Sequence, residues 1–277
     1  MRSCQLSATG NWYVFEAALG NLLRGREIVE AKGNQGRTLD RALDVLESVT
    51  NSREPVSLTD ISKMTGLHIA TTQRLVGQLV GRDYLQGGKR GYTLGPKVLP
   101  MSHAYVLQDR LALIAPGLLS MLTAQTGLTS SVFVRVKDTR VLVARIEAPN
   151  PLSYQFPVGQ VLSLFFGGGK VLLAHAEPQA RQQLLDEYSP IRLENGRIQD
   201  LNALQEDLEA IRRDGYLIAE SERNLGAMSI TAPIWSPDME LLGSLNLVAE
   251  HGEMDREGLF DHRAELLRAC RKITAQM

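Results

Sequence analysis

The sequence predicts two domains, a small mainly α winged helix-turn-helix followed by a larger α+β domain. Three observations carry this. "LTDISKMTG" and "IATTQRLVGQLVGRDYL" are two short helical stretches separated only by Gly66, Leu67 and His68. "LQGGKRGYTLG" places two short β-like pieces around a glycine-rich, doubly basic loop. Beyond residue 127 the texture changes to alternating apolar runs mixed with helical ones. A length of 277 residues accommodates two domains of ordinary size.

Residues 1–36 form an extension with little pattern, expected to be disordered, and "KGNQG" reads as a loop. Thr38 is a fair N-cap for "LDRALDVLESV", whose Leu39, Ala42, Leu43, Leu46 and Val49 follow helical spacing. "NSREP" interrupts the chain, Ser57 caps the next helix, and Gly66 stops it. Two helices joined by a short Gly-containing turn form the helix-turn-helix pattern. On the second helix Leu75, Leu79 and Thr72 point inward, leaving Ala70, Thr71, Gln73, Arg74 and Gln78 outside. The hairpin after Leu85 is the wing, with Lys89 and Arg90 at its tip. These limits give a winged helix over residues 37–96 and a linker helix over 97–113.

The second domain is expected over 114–277. It opens with the helix "APGLLSMLTAQTG", with Pro116 in its first turn and Gly127 as its stop. "TSSVFVRV" and "VLVARIEA" flank a polar turn as a hairpin, and "LSYQFPVG" reads as a further strand. "KVLLAHA", "PQARQQLLDEY" and "LNALQEDLEAIRRDGY" are helical; "YLIAE", "AMSITAPIWS" and "LLGSLNLVAE" are strands; a closing helix runs from about Asp255 to Ala275. An antiparallel sheet with helices packed on it fits this order.

Composition narrows the function. The chain is 44% hydrophobic and 22% charged, with a net charge of −1, as in ordinary globular proteins. The charge is uneven: Arg37–Lys97 holds nine Lys/Arg against six Asp/Glu, and Val98 onward 17 against 22. A basic small module joined to an acidic large one points to a polyanion partner for the first alone. Cys4 and Cys270 lie far apart without CxxC spacing, which disfavours a disulfide framework or a cysteine zinc site and fits a reducing cytoplasm. No apolar run reaches the ~20 residues of a membrane span, and no signal peptide opens the chain. The five histidines show no HxxxH or HExxH spacing and there is no GxSxG, so neither metal nor nucleophilic catalysis is expected, and no cofactor.

"LSLFFGGGKVLLAH" is the stretch that most resembles a phosphate-binding loop. Val171 follows Lys170 where Ser or Thr would bind Mg²⁺, and the first glycine of the motif is missing, so a nucleotide site is not expected. Bare glycines at a helix start instead leave N–H groups open to a small carboxylate. The plainer role is close packing. "EDLEAIRRD" reads as the solvated face of a helix, and "ESERN" as a charge cluster beside a strand. Thr71, Gln73 and Arg74 carry groups suited to base edges and phosphates, and Lys89 and Arg90 suit phosphate or the minor groove.

"LDRALDVLE", "LTDISKMTGLHIATTQRLVGQLV", "YTLGPKVL", "RIEAP", "GKVLLA", "RRDGY" and "SITAPI", in this order, make the chain from Arg37 onward resemble the IclR family of bacterial transcriptional regulators. The resemblance implies a GAF-like effector domain, a homodimer or homotetramer, a pseudo-palindromic double-stranded DNA operator and a small organic-acid effector. It implies DNA contacts from Thr71, Thr72, Gln73, Arg74, Gln78, Arg41, Lys89 and Arg90. It implies an effector pocket at Gly167, Gly168 and Gly169, faced by Ala227, Ser229 and Asn246, with Glu220 and Glu222 near the mouth. The chain departs from the family at Phe165 and Phe166, at Ser229 where many members have Cys, and at Thr72 where an apolar residue is usual. The two phenylalanines imply a more apolar pocket and an aromatic or larger acid. Two other classes fit less well: an enzyme turning over a small acid, and a ligand-sensing module whose winged helix contacts protein.

Overall fold

The computed structural model describes residues 34–50, 52, 54–150, 156–191, 198–220, 222, 227–250, 252 and 254–277. The expectations for residues 1–33 lie outside this set. The chain divides into two compact units, Met1–Tyr105 and Val106–Met277.

The first unit contains α1 (Asn34–Thr50), α2 (Leu58–Thr65), α3 (Ile69–Val80), β1 (Leu85–Gly88) and β2 (Gly91–Leu94), and most of α4 (Val98–Gln108). Helix α1 begins at Asn34, a turn before Thr38, because one interior glycine costs only about 1 kcal/mol and does not stop a helix. Ser57 caps α2 by accepting from the Asp60 N–H at 3.1 Å, and Gly66 ends it at φ 65°. His68 caps α3 by accepting from the Ala70 N–H. Helix α3 stops at Val80, short of the expected Leu85, because Gly81–Asp83 turns the chain, with Asp83 itself at φ 63°. Val45, Val49, Ile61, Leu75, Val76 and Leu85 close a core among the three helices and the wing. The wing is an antiparallel ribbon in register Leu85↔Leu94 to Gly88↔Gly91. Tyr92 also exchanges backbone hydrogen bonds with Val56, both 2.9 Å. That close approach requires glycine at position 91, whose φ is 139° and whose Cβ would lie 2.5 Å from the Val56 carbonyl oxygen.

Helix α4 has no buried residue. The next helix, α5 (Arg110–Thr126), starts at Arg110 rather than near residue 114. Asp109 caps it by accepting from the Ala112 N–H at 2.7 Å, an acceptor that Leu113 and Ile114 lack. Pro116 consequently lies inside the helix.

The second unit is built on a six-stranded antiparallel sheet in the order β5-β4-β3-β8-β7-β6. Its strands are β3 (Thr129–Val136), β4 (Thr139–Ile146), β5 (Val161–Ser163), β6 (Leu217–Glu220), β7 (Ala227–Trp235) and β8 (Leu241–Glu250). Of the expected strand "LSYQFPVG", residues 152–155 lie outside the described set and 156–159 form no strand; β5 follows them. Between β5 and β6 run α6 (Gly169–Ala174), α7 (Pro178–Tyr188) and α8 (Leu201–Asp214). The closing helix is broken at His262 into α9 (Arg256–Asp261) and α10 (Arg263–Thr274). One sheet face, with Val132, Ala144, Ile230 and Leu247, packs on α5, α9 and α10. The other, with Phe133, Leu142 and Leu162, packs on α6, α7 and α8. Among the described residues no single helix is long and apolar enough to cross a membrane.

Candidate functional site

Two regions answer the expectations, one in each unit. In the first, Ala70, Gln73, Arg74 and Gln78 are exposed on α3 and Thr71 is half-buried. Arg41 is exposed on α1, and Lys89 and Arg90 are exposed at the wing tip. Thr72 is fully buried, its hydroxyl donating to the His68 carbonyl at 3.3 Å. It belongs to the packing of α3, and the expectation that it meets DNA is corrected.

In the second unit a cavity of about 60 Å³ opens on the sheet face that carries α6. Such a volume holds a handful of waters at ~10–15 Å³ each. Pairing within the sheet fixes what faces it. Ala227, Ser229 and Thr231 on β7 stand opposite Glu250, Val248 and Asn246 on β8, and Asn246 stands opposite Ser131 on β3. Partnered residues share a face, so Ala227, Ser229, Asn246 and Val248 line the cavity together. Asn246 Nδ2 donates to Thr231 Oγ1 at 2.8 Å.

The glycines divide into two roles. Gly167 and Gly168 line the cavity. Gly167 sits at φ 56°, and its N–H donates to Glu222 Oε2 at 2.8 Å. A Cβ on Gly168 would lie 2.6 Å from Thr231 Oγ1 and 2.9 Å from Arg140 Nη1. Gly169 does not line the cavity. Its N–H bonds the Phe166 carbonyl at 3.2 Å, and a Cβ there would meet the Ser163 carbonyl oxygen at 2.5 Å. For Gly169 the packing role replaces the expected effector contact. Helix α6 has six residues, so the positive charge here comes from side chains and not from an extended helix dipole.

Those side chains are Arg140 and Lys170. Arg140 is 4% exposed, lines the cavity and places its guanidinium 4.5 Å from the centroid of the Phe133 ring. Lys170 is 1% exposed, and its ammonium donates to Asp207 Oδ2 and Glu222 Oε1, both at 2.6 Å. Arg145 also lines the cavity, paired with Glu147 and donating to Ser131 Oγ at 3.3 Å. The carboxylate that reaches the cavity is Glu222. Glu220 is exposed and sits opposite Met228 in the ladder, on the other face of the sheet, so its expected place at the mouth is corrected. Phe165 and Phe166 turn away into the core under α6, where Phe165 meets Tyr188 with ring centroids 5.2 Å apart. The aromatic wall is made by Phe133 and Phe156 instead.

Arg140, Arg145 and Asp207 escape the sequence reading for definite reasons. Strict alternation puts positions 140 and 145 on opposite faces. The register slips between Val132 and Phe133, which pair with Ala144 and Leu142, and the extra residue at Val143 turns both arginines to the same side. Asp207 lies in a helix face that is otherwise solvated, and only its partner, a buried lysine, marks it.

Behind the site, His175 packs edge-on to Trp235, ring centroids 4.8 Å apart. Burial first, then the Arg212 and Arg181 cations, hold its imidazole below the ordinary 6.5. Well above that value folded and unfolded chains both carry it neutral and its stability contribution is complete. Below it the unfolded chain binds the proton first, so stability falls as pH drops through 6.5 toward the lower folded value. His175→Gln is expected to flatten the loss of melting temperature below pH 6.5; an unchanged profile removes His175 from the acid limb. Cys270 is buried and its thiol is pushed up to about 12, so no thiolate is present at neutral pH.

Comparison with known proteins matches both units. Residues 38–87 match the IclR helix-turn-helix domain, and residues 103–275 match the domain described as bacterial transcriptional regulator IclR C-terminal. The chain belongs to the IclR family. It is therefore an IclR-type, DNA-binding transcriptional regulator. Among IclR-family relatives it is 27% identical over 236 residues to the p-hydroxybenzoate hydroxylase transcriptional activator of Acinetobacter baylyi, covering 83% of this chain and 87% of that protein. It is 26% identical over 234 residues to the Pca operon regulatory protein of the same organism, covering 83% and 84%. The fold matches that of an IclR homolog from Microbacterium hydrocarbonoxydans, crystallised with 4-hydroxybenzoate, at TM-score 0.69 and 22% identity, covering 86% of this chain and 98% of that one.

Proposed function

We propose that this IclR-family regulator is a cytoplasmic homodimer or homotetramer that reads a pseudo-palindromic operator and is switched by a small aromatic acid. Residues 37–96 supply the DNA contacts and α4 lies in the linker. Thr71, Gln73, Arg74 and Gln78 on α3 read base edges and neighbouring phosphates; Arg41 and the wing residues Lys89 and Arg90 hold the backbone. The acid lies in the second unit between the Phe133–Phe156 wall and the polar floor of Ser229 and Asn246, its carboxylate toward Arg140 and the Gly167–Gly168 turn. It is bound and not turned over. It acts through linkage: an acid that prefers one arrangement of the oligomer shifts DNA affinity by its differential affinity for the two.

The observation that carries this reading is a buried arginine beside a bare glycine turn in an aromatic-walled cavity, on the same chain as a winged helix with an exposed polar recognition face. The name of the p-hydroxybenzoate hydroxylase transcriptional activator and the 4-hydroxybenzoate bound to the Microbacterium homolog support the aromatic class.

Gel shift on DNA upstream of the protein's own gene, across a salt series and with aromatic and aliphatic acids, tests it. Arg74→Ala is expected to weaken specific binding by about 1–3 kcal/mol and to relax sequence preference at one position of each half-site. Neutralising Lys89 and Arg90 together is expected to weaken binding to all sequences and reduce the salt slope by about 2. An unchanged preference or an unchanged slope would strike the residue concerned from the interface.

A further inference from the structure

We infer that Glu222 is an internal stand-in for the effector's carboxylate, seated in the anion position and displaced when an acid binds. This rests on the cavity being the effector site, and it says how that site is kept closed. The two oxygens of Glu222 are held separately: Oε2 by the Gly167 N–H at 2.8 Å and Oε1 by Lys170 Nζ at 2.6 Å. A small carboxylic acid would seek this two-point grip, and the protein fills it with its own side chain. About 60 Å³ of free space adjoins it, and an acid that takes the two-point grip needs Glu222 to leave it.

The surrounding charges make Glu222 the group that leaves. Lys170 is only 2% exposed at its side chain and cannot turn to water, whereas Glu222 is 23% exposed. Asp207 holds the same ammonium at 2.6 Å from α8, so departure of Glu222 does not strand a buried cation. The incoming carboxylate inherits the Gly167 N–H and the Lys170 position, with the buried Arg140 in the same cavity. The exchange is one carboxylate for another, and the site's net charge is unchanged by it. Selectivity follows. A neutral amide isostere offers this grip one uncharged carbonyl oxygen in place of a carboxylate, and competes weakly with Glu222.

A tethered carboxylate lowers the apparent affinity for acids by the fraction of time it occupies the position. The test uses the full chain, isothermal titration calorimetry, benzoate and acetate as probes, and benzamide as the neutral control. Glu222→Gln is expected to tighten benzoate and acetate binding at least tenfold. Glu222→Asp, which keeps the charge but shortens the reach to Gly167, is expected to fall between it and the parent. Glu220→Gln, which removes the same charge two residues away on the other sheet face, is expected to change nothing. Benzamide is expected to bind each of them far more weakly than benzoate. If Glu222→Gln binds the acids equally or more weakly than the parent, Glu222 is not a competitor and the inference fails while the acid pocket stands. The inference also fails if Glu220→Gln tightens binding as much, because the effect is then one of general charge. If no variant nor the parent binds either acid, the acid-pocket reading fails and takes the inference with it.

Discussion

The Asp207→Asn/Glu222→Gln double variant is expected to lose about 3–5 kcal/mol of stability in the second unit. For a unit of this size that is a fall in melting temperature of about 10 °C. The reason is the burial of Lys170 at 1% exposure. Both of its ion-pair partners are removed while its charge stays, and a buried ammonium without an anion carries its desolvation cost uncompensated. Each single substitution leaves the other carboxylate at 2.6 Å and is expected to cost much less. Melting of the parent, the two singles and the double closes a mutant cycle. Strong non-additivity, with the double far below the sum of the singles, is the expected signature. An additive cycle would show that Lys170 finds water or another anion on its own.

Replacing Gly169 by alanine is the second large effect, expected to cost about 3 kcal/mol. The new methyl would lie 2.5 Å from the Ser163 carbonyl oxygen and 2.8 Å from Leu164 Cα, and both belong to backbone that cannot step aside. The neighbouring Gly168→Ala should behave differently. Its methyl meets the ends of two side chains, Thr231 Oγ1 and Arg140 Nη1. No backbone atom is met, but Thr231 is fully buried and meets the methyl with both Oγ1 and Cγ2, so the fold is expected to lose less than at Gly169 and acid binding to be lost with it. Measured together by thermal melting and acid titration, the two variants separate packing from recognition within two adjacent residues. Equal melting temperatures would contradict the division.

The order of the winged helix was legible because its signals are local, although α1 begins a turn before Thr38 and α3 ends five residues before Leu85. Ser57, Gly66 and the Gly-rich, basic loop each announce an element by their own chemistry. The strands β6, β7 and β8 were legible for the same reason, through alternation and the turn between the last two. The start of α5 was misplaced because Pro116 drew the boundary toward itself, while the cap that decides it is Asp109. The site was half legible. Gly167, Gly168, Ala227, Ser229 and Asn246 follow from family likeness; sheet register brings the last three together, and the turn before α6 brings the two glycines. Arg140 and Arg145 were hidden by a one-residue slip at Val143, and Lys170–Asp207 by a separation of 37 positions. Phe165 and Phe166 misled because apolarity does not say which side of a turn a ring falls on.

Strand β3 is one chain thick, and its neighbouring residues serve different masters. Ser131 accepts from Arg145 on the cavity side. The residue before it, Ser130, shares a 2.7 Å hydrogen bond with Thr123 and donates to the Leu119 carbonyl on α5. A side chain moved on one face therefore pulls on a backbone whose next hydroxyl is fastened to the helix on the other. Close packing leaves little slack to absorb such a pull. The cavity and α5 are thus tied to one backbone at two consecutive residues, Ser131 and Ser130, so the seat of the acid and the seat of the helix share a single strand.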